Sequence, residues 1–368
     1  MLLSIILPVS CILFGQSGSI AYITGPSQAS YQLTVFSLDT GETTAPGRGD
    51  CDAYPQWSPD GRSIAYQTKQ PEGTGIRIIR PEEPADQAVA HHFSWNYRPR
   101  WSPDSASLVY TSRDDTSPLS CITVYSFERG EETFWGGEQR GILSVAWLPG
   151  MELMKALDPE SEDEHASIAL LDLRKEAEAH GLLVSVGLIG TPPKMYTDLF
   201  ITTPSLATPV LSFLEPDNQR HIEYNVNPDH DARQIAYESN DGGDRELFVL
   251  GRRGITNVSN HPAADWNPVW SPDDSWLAFE SFRGGRQGIY RVLVSTGNVL
   301  PVHVGNAYNC WSPDWSPDGE WMVFVSDMSG TPQLFVIRPD GSDLRQLTFG
   351  PFPALSPTWQ PVSKHRQE

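Results

Sequence analysis

Basic residues are scarce in this sequence of 368 residues. It has 26 Lys and Arg against 46 Asp and Glu, which gives a formal net charge of −20 at pH 7. A chain this acidic is repelled by nucleic-acid phosphates and by anionic membrane surfaces. We therefore expect no nucleic-acid partner, and we expect cationic or neutral partners instead.

Cysteines and catalytic motifs are also few. The four cysteines, Cys11, Cys51, Cys121 and Cys310, include no Cys-x-x-Cys pair, so neither a metal knuckle nor a full disulfide framework is indicated. The sequence contains no Gly-x-Ser-x-Gly nucleophile elbow, the motif of α/β-hydrolases. We therefore predict no catalytic residue of that class and no cofactor.

Charge is absent from the N-terminus, where no charged residue precedes Asp39 and residues 1–17 begin with an apolar run. This run is too short to span a bilayer, which needs about 20 apolar residues. With Gly15 and Ser17 as a small-x-small cleavage site, residues 1–17 fit an export signal, although its usual basic start is missing. A lipoprotein signal with a lipid on Cys11, and a buried first strand, are the alternatives. The export interpretation predicts a periplasmic or extracellular protein, and the lipid would add a membrane anchor.

A phrase of the type Trp-Ser-Pro-Asp-Gly recurs along the chain. Its copies at Trp57 and Trp101 are 44 residues apart, and those at Trp270 and Trp315 are 45 apart. A regular period of this length is typical of repeat folds that add units around one core. The copies begin at Trp57, Trp101, Trp270, Trp315 and Trp359, with degenerate copies at Trp147 and Val226.

Each copy is followed by short apolar strands separated by polar turns. The strand Ile64-Ala65-Tyr66 follows the first copy, and strands at 333–337 and 344–347 follow a later one. Four strands per repeat form a propeller blade. We therefore predict an all-β fold: a single closed β-propeller of four-stranded antiparallel blades over residues 18–361, with a polar tail at 362–368.

The recurring motif is explained by the geometry of a turn and needs no ligand. Ser-Pro-Asp-Gly satisfies a type I turn, because Ser caps the first position, Pro presets φ at the second, Asp accepts backbone N–H groups and Gly closes the turn. The preceding Trp ends the inner strand, where it can wedge between blades. We interpret these residues as scaffold and not as catalytic Asp or Ser.

The phrase followed by Ile-Ala-Tyr resembles the WD-like repeat of TolB-type β-propellers, and the resemblance covers about residues 20–361. The repeat is also similar to propellers attached to prolyl-oligopeptidase-type and tricorn proteases, and to those of oligogalacturonate lyases. The resemblance implies a propeller architecture and no particular activity. It covers the propeller part only, because the chain shows no counterpart of the N-terminal α/β domain of TolB.

The number of blades depends on the interval of 79 residues from Trp147 to Val226. The strand candidates in this interval favour two degenerate blades at 147–226, which gives eight blades in total, and seven blades are the alternative. Residues 170–180 have helical composition, so a short surface helix could interrupt the strands. The two chain ends are expected to complete one blade together, because Trp359 supplies an inner strand that the first strands lack. The candidates within the interval are 152–157, 168–173, 182–186, 198–202, 210–214 and 221–226.

The loops that enter the inner strands surround the central mouth, and they are unusually aromatic for loops. One interpretation is a ligand funnel in which aromatic faces stack on a ligand while acids and histidines supply direction and charge. The other is that the aromatic side chains plug the mouth and pack against neighbouring loops. The predicted ligand-binding residues are Trp95, Tyr97, Trp266, Trp311, Tyr308, Asp52, Asp265, His92 and His261.

These observations favour a non-enzymatic binding or scaffold propeller of the cell envelope. Its aromatic mouth would engage a protein, peptide or glycan, or the propeller would be a subunit of a larger assembly. The alternative is a metal-dependent propeller lyase or hydrolase similar to oligogalacturonate lyases, with His91, His221 and His261 as metal ligands. No short-spacing histidine motif supports that site.

Overall fold

The computed structural model describes most of the chain. Within it, no helix is both long enough and apolar enough to cross a membrane. The described residues are 17–46, 51–90, 92–117, 119–136, 141–153, 175–177, 179–191, 194–205, 207–209, 221–241 and 243–362.

In these residues the strands form seven four-stranded antiparallel sheets, numbered here as blades 1–7. Blade 1 contains β1 (Ser19–Thr24), β2 (Gln32–Ser37), β3 (Thr43–Thr44) and the last strand, β28 (Ala354–Trp359). A 3₁₀ helix at Gln28–Ser30 connects β1 and β2. Blade 2 contains β4 (Cys51–Trp57), β5 (Ile64–Gln70), β6 (Gly73–Arg80) and β7 (Glu83–Ala88), and blade 3 contains β8 (Trp95–Trp101), β9 (Ser107–Arg113), β10 (Cys121–Ser126) and β11 (Glu131–Trp135).

Blades 4–7 follow the same order along the chain. Blade 4 contains β12 (Ile142–Leu148), β13 (Leu182–Thr191), β14 (Lys194–Thr202) and β15 (Ala207–Pro209), and blade 5 contains β16 (Glu223–Pro228), β17 (Ile235–Ser239), β18 (Glu246–Gly251) and β19 (Gly254–Asn257). Blade 6 contains β20 (Asp265–Trp270), β21 (Trp276–Ser281), β22 (Gly288–Leu293) and β23 (Asn298–His303), and blade 7 contains β24 (Cys310–Trp315), β25 (Met322–Ser326), β26 (Gln333–Ile337) and β27 (Arg345–Gln346).

The predicted propeller of four-stranded antiparallel blades is confirmed, but the preference for eight blades is wrong. The interval 147–226 contains one blade, because candidates 182–186 and 198–202 belong to the long paired strands β13 and β14. Candidate 221–226 overlaps β16, the first strand of blade 5, and candidate 152–157 begins in a helical turn. The predicted helix is present at 175–177 and 179–180. Candidates 168–173 and 210–214 lie outside the described residues.

The predicted closure also needs a correction. β28 pairs with β1 inside blade 1, as expected for the two chain ends. However, the seven sheets are separate, and in the described part of the chain no strand ladder joins one blade to the next. The ring is therefore not closed by hydrogen-bonded strands. Side-chain packing between stacked blades holds it together.

Seven buried apolar clusters provide that packing, one at each contact between neighbouring blades. The second and third strands lie between two such clusters, so strands such as β17, β25 and β26 are buried along their whole length. Burial on both faces explains the continuous apolar runs 322–325 in β25 and 334–337 in β26, whereas β17 ends in the buried polar residues Glu238 and Ser239. The cluster between blades 7 and 1 includes Trp359, which therefore ties the end of the chain to its beginning.

The Ser-Pro-Asp-Gly turn is held by hydrogen bonds between its own residues. Ser58 Oγ donates to Asp60 Oδ1 at 2.5 Å, and Asp60 Oδ1 also accepts the Arg62 N–H at 3.0 Å. The same Ser–Asp bond is present in three further copies of the turn. The residue that follows the Asp has positive φ in each copy, which is why Gly61 and Gly319 suit this place. These Ser and Asp side chains hold the turn.

The repeat tryptophans link successive blades. Trp270 is 4% exposed, and its indole N–H donates to the carbonyl of Asn227 in the preceding blade at 2.8 Å. Trp101 and Trp315 make the matching bond to Gln56 and Val269. Trp270 and Trp315 are therefore buried apolar groups and satisfied donors between two blades, and Trp101 makes the same bond while partly buried. The indole N–H groups of Trp57 and Trp359 are buried without a hydrogen bond, so these rings contribute by packing alone.

Replacing Trp270 with Ala is expected to lower the free energy of unfolding by about 3–5 kcal/mol, because the change removes a buried indole and leaves a cavity between blades 5 and 6. Chemical denaturation followed by circular dichroism measures this loss. Trp276→Ala is the matched control, because Trp276 is only partly buried and packs against the Arg291 guanidinium. Equal losses in the two variants would contradict a core role for the repeat Trp.

Deleting the chain from Pro351 onward is expected to destabilise the whole propeller, because blade 1 loses β28 and the 7–1 cluster loses Trp359. We expect the melting temperature to fall by about 5 °C or more, since a buried Trp alone contributes about 3–5 kcal/mol. A chain that ends at Val362 keeps β28 and is the control. Matching melting curves for the two truncations would refute the role of β28 in holding the ring.

Candidate functional site: the mouth and the central channel

The first strands of the blades line the centre of the ring, because neighbouring first strands such as β4 and β8, or β24 and β28, contact each other. Each first strand runs from one face of the ring to the face that carries the Ser-Pro-Asp-Gly turns. We call the starting face the mouth face and the other the turn face. Because the strands of a blade are antiparallel, the hairpins between second and third strands also lie on the mouth face.

Six of the seven first strands contain a bulge at the same place. Three positions before the repeat Trp, or before the residue that replaces it, the backbone has positive φ and the pairing with the second strand shifts. A bulge puts two residues opposite one and re-aims their side chains and N–H groups. The positive-φ residues are Tyr54, Arg98, Asn225, Asn267, Ser312 and Ser356.

Second-strand side chains accept the N–H groups that the bulges release. Glu238 Oε1 of blade 5 accepts the N–H of Asn267 in blade 6 at 2.8 Å, and Glu280 Oε1 of blade 6 accepts that of Ser312 in blade 7 at 3.0 Å. Gln67 does the same for Arg98 at 3.4 Å. We call these contacts latches. Each one links neighbouring blades beside the channel.

The latch carboxylates are buried, and burial raises the pKa of both Glu238 and Glu280. The amides of Asn225 and Asn267 donate to them from the same blade, at 2.7 Å in each case. Arg245 also lies 3.3 Å from Glu238 Oε2. Gln287 donates to the second oxygen of Glu280 at 2.5 Å, whereas Glu238 Oε2 is buried without a hydrogen bond and has only the Arg245 charge beside it. Both carboxylates contact scaffold groups, so we assign these two acids to the scaffold.

Two arginines of β8 lie on the channel wall. Arg98 crosses the ring from blade 3 to blade 5, where its Nη1 donates to Asn225 Oδ1 at 2.6 Å, and its guanidinium lies 5.2 Å from the centre of the Tyr54 ring. Arg100 Nη1 donates to Gln56 Oε1 of blade 2 at 3.3 Å. Both arginines keep exposed surface because the channel is open to solvent.

Asp314 is the acidic residue at the matching position of β24. Its carboxylate accepts the N–H of Trp359 at 2.7 Å and that of Trp315 at 3.0 Å. Burial raises the pKa of Asp314 to about 6, and the nearby charge of Arg100 opposes that shift. The carboxylate thus joins β24 to β28 at the contact between blades 7 and 1.

Trp95 and Tyr97, at the start of β8, form one wall of a cleft of about 520 Å³ on the mouth face. Their rings are stacked with centroids 6.3 Å apart. The Trp95 indole N–H donates to Asp115 Oδ1 at 2.6 Å, and the Arg113 guanidinium lies over the Trp95 ring. Blades 1 and 2 supply the other wall, which carries Gln28, Gln67, Lys69, Gln70, Pro71, Glu72, Gly73 and Thr74.

The other predicted aromatic residues lie elsewhere around the mouth. Trp266 is half-buried against Phe282, with ring centres 5.1 Å apart. Trp311 packs against the cluster between blades 7 and 1. Tyr308 stacks on His303 and packs against the cluster between blades 6 and 7. The structure therefore brings Trp95 and Tyr97 together, while Trp266, Trp311 and Tyr308 each have their own packing partners.

The predicted acids are placed differently from the aromatic residues. Asp265 is fully buried, and its Oδ2 lies 2.6 Å from Arg283 Nη2, so its charge is paired inside the fold, while its Oδ1 is buried without a hydrogen bond. Asp52 lies in β4, one of the strands that line the channel, but its side chain lies outside the described part.

The predicted histidines each meet a separate acid or backbone group. His92 pairs with Glu132, and His221 Nε2 lies 3.4 Å from Asp241 Oδ1. The backbone N–H of His261 donates to Glu246. Among the described residues, no group of three His, Cys, Asp or Glu is arranged to hold a metal ion. His91 lies outside those residues, so the metal site stays a prediction.

Sequence reasoning missed Arg98 and Arg100 as mouth residues, because it considered only the loops before the inner strands. Both arginines lie within the strand, three and one positions before Trp101. The recurring positions before each repeat Trp contained the signal, since aligned repeat positions face a common axis. The bulge that turns Arg98 toward the channel has no sequence signature of its own, because residues as different as Tyr54, Asn267 and Ser312 occupy the same place.

No model of a protein family matches the chain, and no curated protein matches its sequence. Solved structures match its fold. TolB from Acinetobacter baumannii is 15% identical with a TM-score of 0.58, over 94% of this chain and 67% of that one. The β-propeller domain of the Trilobed protease from Pyrococcus furiosus is 14% identical with a TM-score of 0.63, over 91% and 96%.

A third similar structure is an oligogalacturonate lyase in complex with manganese, which is 14% identical with a TM-score of 0.58 over 88% of each chain. At these identities the comparisons establish the fold alone. The resemblance to TolB-type propellers is confirmed as a likeness of architecture. Because the neighbours include a protease propeller and a lyase, the fold is shared by proteins of different activities.

The free energy of unfolding is expected to fall as the pH rises from about 4.5 to about 7. Burial raises the pKa of Glu223 to about 7, so the folded protein holds this proton more tightly than the unfolded chain, and ionisation at higher pH favours unfolding. The Glu223 contribution is at most about 3 kcal/mol. Glu223→Gln keeps an acceptor for Ser239 and is expected to flatten the profile, measured by urea denaturation across this pH range.

Glu131→Gln is the control for this measurement, because Glu131 is exposed on the outer strand of blade 3. It is expected to leave the slope unchanged. If Glu223→Gln and Glu131→Gln have the same slope, Glu223 does not titrate in the way its burial implies.

Proposed function

We propose that the protein is a binding propeller of the cell envelope, without catalytic activity, and that it engages a protein or peptide partner through its mouth face. The observation that supports this most directly is the cleft beside Trp95 and Tyr97. Stacked, half-exposed aromatic rings on a regular strand offer apolar area at low cost in conformational entropy, and aromatic residues are enriched in binding interfaces.

Exposed apolar side chains also support the mouth face as the binding surface. Phe349 is 67% exposed and Phe352 is 48% exposed, both in the loop that enters β28, and Phe282 lies in the hairpin between β21 and β22. Leu119 and Ile222 are exposed in mouth-face loops as well. On the turn face the exposed large apolar residues within the described part of the chain are Leu344 and Val362. An asymmetry of this kind is typical of an interaction surface.

The proposed location is outside the cytoplasm, in the periplasm or the extracellular space. The apolar run at the N-terminus supports export, and a lipid on Cys11 would add an anchor. Cys11 lies outside the described residues.

Binding is expected to require Trp95 and Tyr97. An array of peptides, with a glycan array in parallel, measures binding of the purified protein and of the variants Trp95→Ala, Tyr97→Ala and Trp266→Ala. We expect peptide binding to weaken at least about tenfold in the Trp95 and Tyr97 variants, because a central aromatic contact in an interface contributes about 2 kcal/mol or more. Melting temperatures are expected to stay close to that of the unchanged protein.

Trp276→Ala is the matched control, since it removes the same kind of side chain from the turn face. It is expected to leave binding unchanged. A large loss of stability in Trp95→Ala would support packing as the role of this residue. Binding to glycans and not to peptides would replace the proposed partner with a glycan. Unchanged peptide binding in all mouth variants would refute the proposed surface.

A further inference from the structure

Arg98 and Arg100 have an unusual electrostatic setting. Among the described residues neither has a carboxylate within ion-pair distance, whereas Arg77 and Arg283 each contact an Asp directly. Arg100 keeps exposed surface, but the channel walls restrict its hydration, and this desolvation together with the charge of Arg98 lowers the pKa of Arg100. The Glu238 carboxylate lies on the other side of the Asn225 amide, which bonds to both side chains, and Glu238 already accepts the Asn267 N–H of the latch. A further anion beside the two guanidinium groups would offset their mutual repulsion.

Asp314 supplies only part of the negative charge that would balance Arg98 and Arg100. Its two oxygens already accept the N–H groups of Trp315 and Trp359. We compared two equivalent positions in the seven first strands, those one and three residues before the repeat Trp. The charged residues at these positions are Arg98, Arg100 and Asp314. With Asp314 ionised, these positions have one net positive charge, in a protein whose total charge is −20.

The surroundings of Arg98 suit a planar anion. A guanidinium has five N–H donors, and the one bond to Asn225 leaves others for a ligand. Tyr54 is 41% exposed beneath the guanidinium, and Tyr97 directly precedes Arg98 in β8. Neutral amides of Gln56 and Asn225 complete the wall. A carboxylate matches the guanidinium fork in shape and balances a single positive charge.

We propose that the central channel contains a binding site for a carboxylate group of a peptide ligand, with Arg98 as the direct contact and Arg100 as the second positive charge behind it. An apolar or aromatic side chain next to that carboxylate would lie against Tyr54 and Tyr97. This inference rests on the proposed function, since the ligand enters through the same mouth. The negative total charge does not prevent it, because salt screens charges beyond about 8 Å at physiological ionic strength.

Three small probes test the site. N-acetyltryptophan has a terminal carboxylate, its amide has none, and N-acetyl-aspartyl-tryptophan amide has a carboxylate only in its side chain. Binding to the purified full chain is measured by ligand-detected NMR at millimolar probe. We expect at least one of the two acids to bind about tenfold more tightly than the neutral amide, since a charge-assisted bidentate bond accounts for such a ratio. Which acid binds identifies the source of the carboxylate.

The variants are Arg98→Gln and Arg100→Gln, with Arg129→Gln as the control, because Arg129 is exposed in the hairpin between β10 and β11. Arg98→Gln is expected to abolish the preference for the acid, Arg100→Gln to reduce it, and Arg129→Gln to leave it unchanged. Melting curves establish that each variant is folded. Since Arg98→Gln could also disturb the Asn225 contact, Asn225→Ala is measured too and is expected to retain the preference.

The outcomes separate this inference from the proposed function. Equal binding of acid and amide, lost in Trp95→Ala, overturns the carboxylate site and keeps the aromatic surface. Acid-selective binding that depends on Arg98 and not on Trp95 keeps the carboxylate site and removes the role of Trp95. Failure of both acids to bind, or a preference that survives Arg98→Gln, overturns the carboxylate site.

Discussion

The structure depends on apolar packing between blades that share no strand ladder. Each blade is a four-stranded sheet whose ladder bonds lie within the blade, and only individual hydrogen bonds, such as the latches, pass from one blade to the next. Buried clusters at all seven blade contacts hold the ring together. Because every blade is covered on both sides, the loss of one contact exposes two apolar faces. This explains why the last strand is paired back into the first blade.

The bulges in the first strands connect this packing to the channel. A positive-φ residue breaks the ladder inside its own blade, and its N–H is then free to bond to the neighbouring blade. The same distortion re-aims the side chain at that position, so Arg98 reaches across the ring to Asn225. One local backbone feature therefore provides latches between blades and also determines which side chains line the channel.

The buried acids illustrate why a titratable residue in a central position is not by itself a functional one. Burial raises the pKa of Glu238, Glu280 and Asp265, yet the groups they contact belong to the scaffold. Glu238 and Glu280 accept the N–H groups of the bulges, and Asp265 pairs with the Arg283 guanidinium. The arginines of β8 differ from them, since they retain exposed surface in the channel. A ligand would therefore meet the arginines and the aromatic cleft before it met any of these acids.

The sequence alone determined the architecture, because the Trp-Ser-Pro-Asp-Gly period reports directly on a local turn and on a buried ring in every repeat. It also placed Trp95 and Tyr97 at the mouth, since repeat positions map to equivalent places around an axis. The blade count was wrong because degenerate strands in 147–226 have no period by which to separate long strands from additional ones. Only the tertiary structure decided that Asp265 turns inward to Arg283 while Arg98 turns toward the channel. Those directions depend on backbone bulges and on neighbours from other blades, and neither can be read from a single repeat.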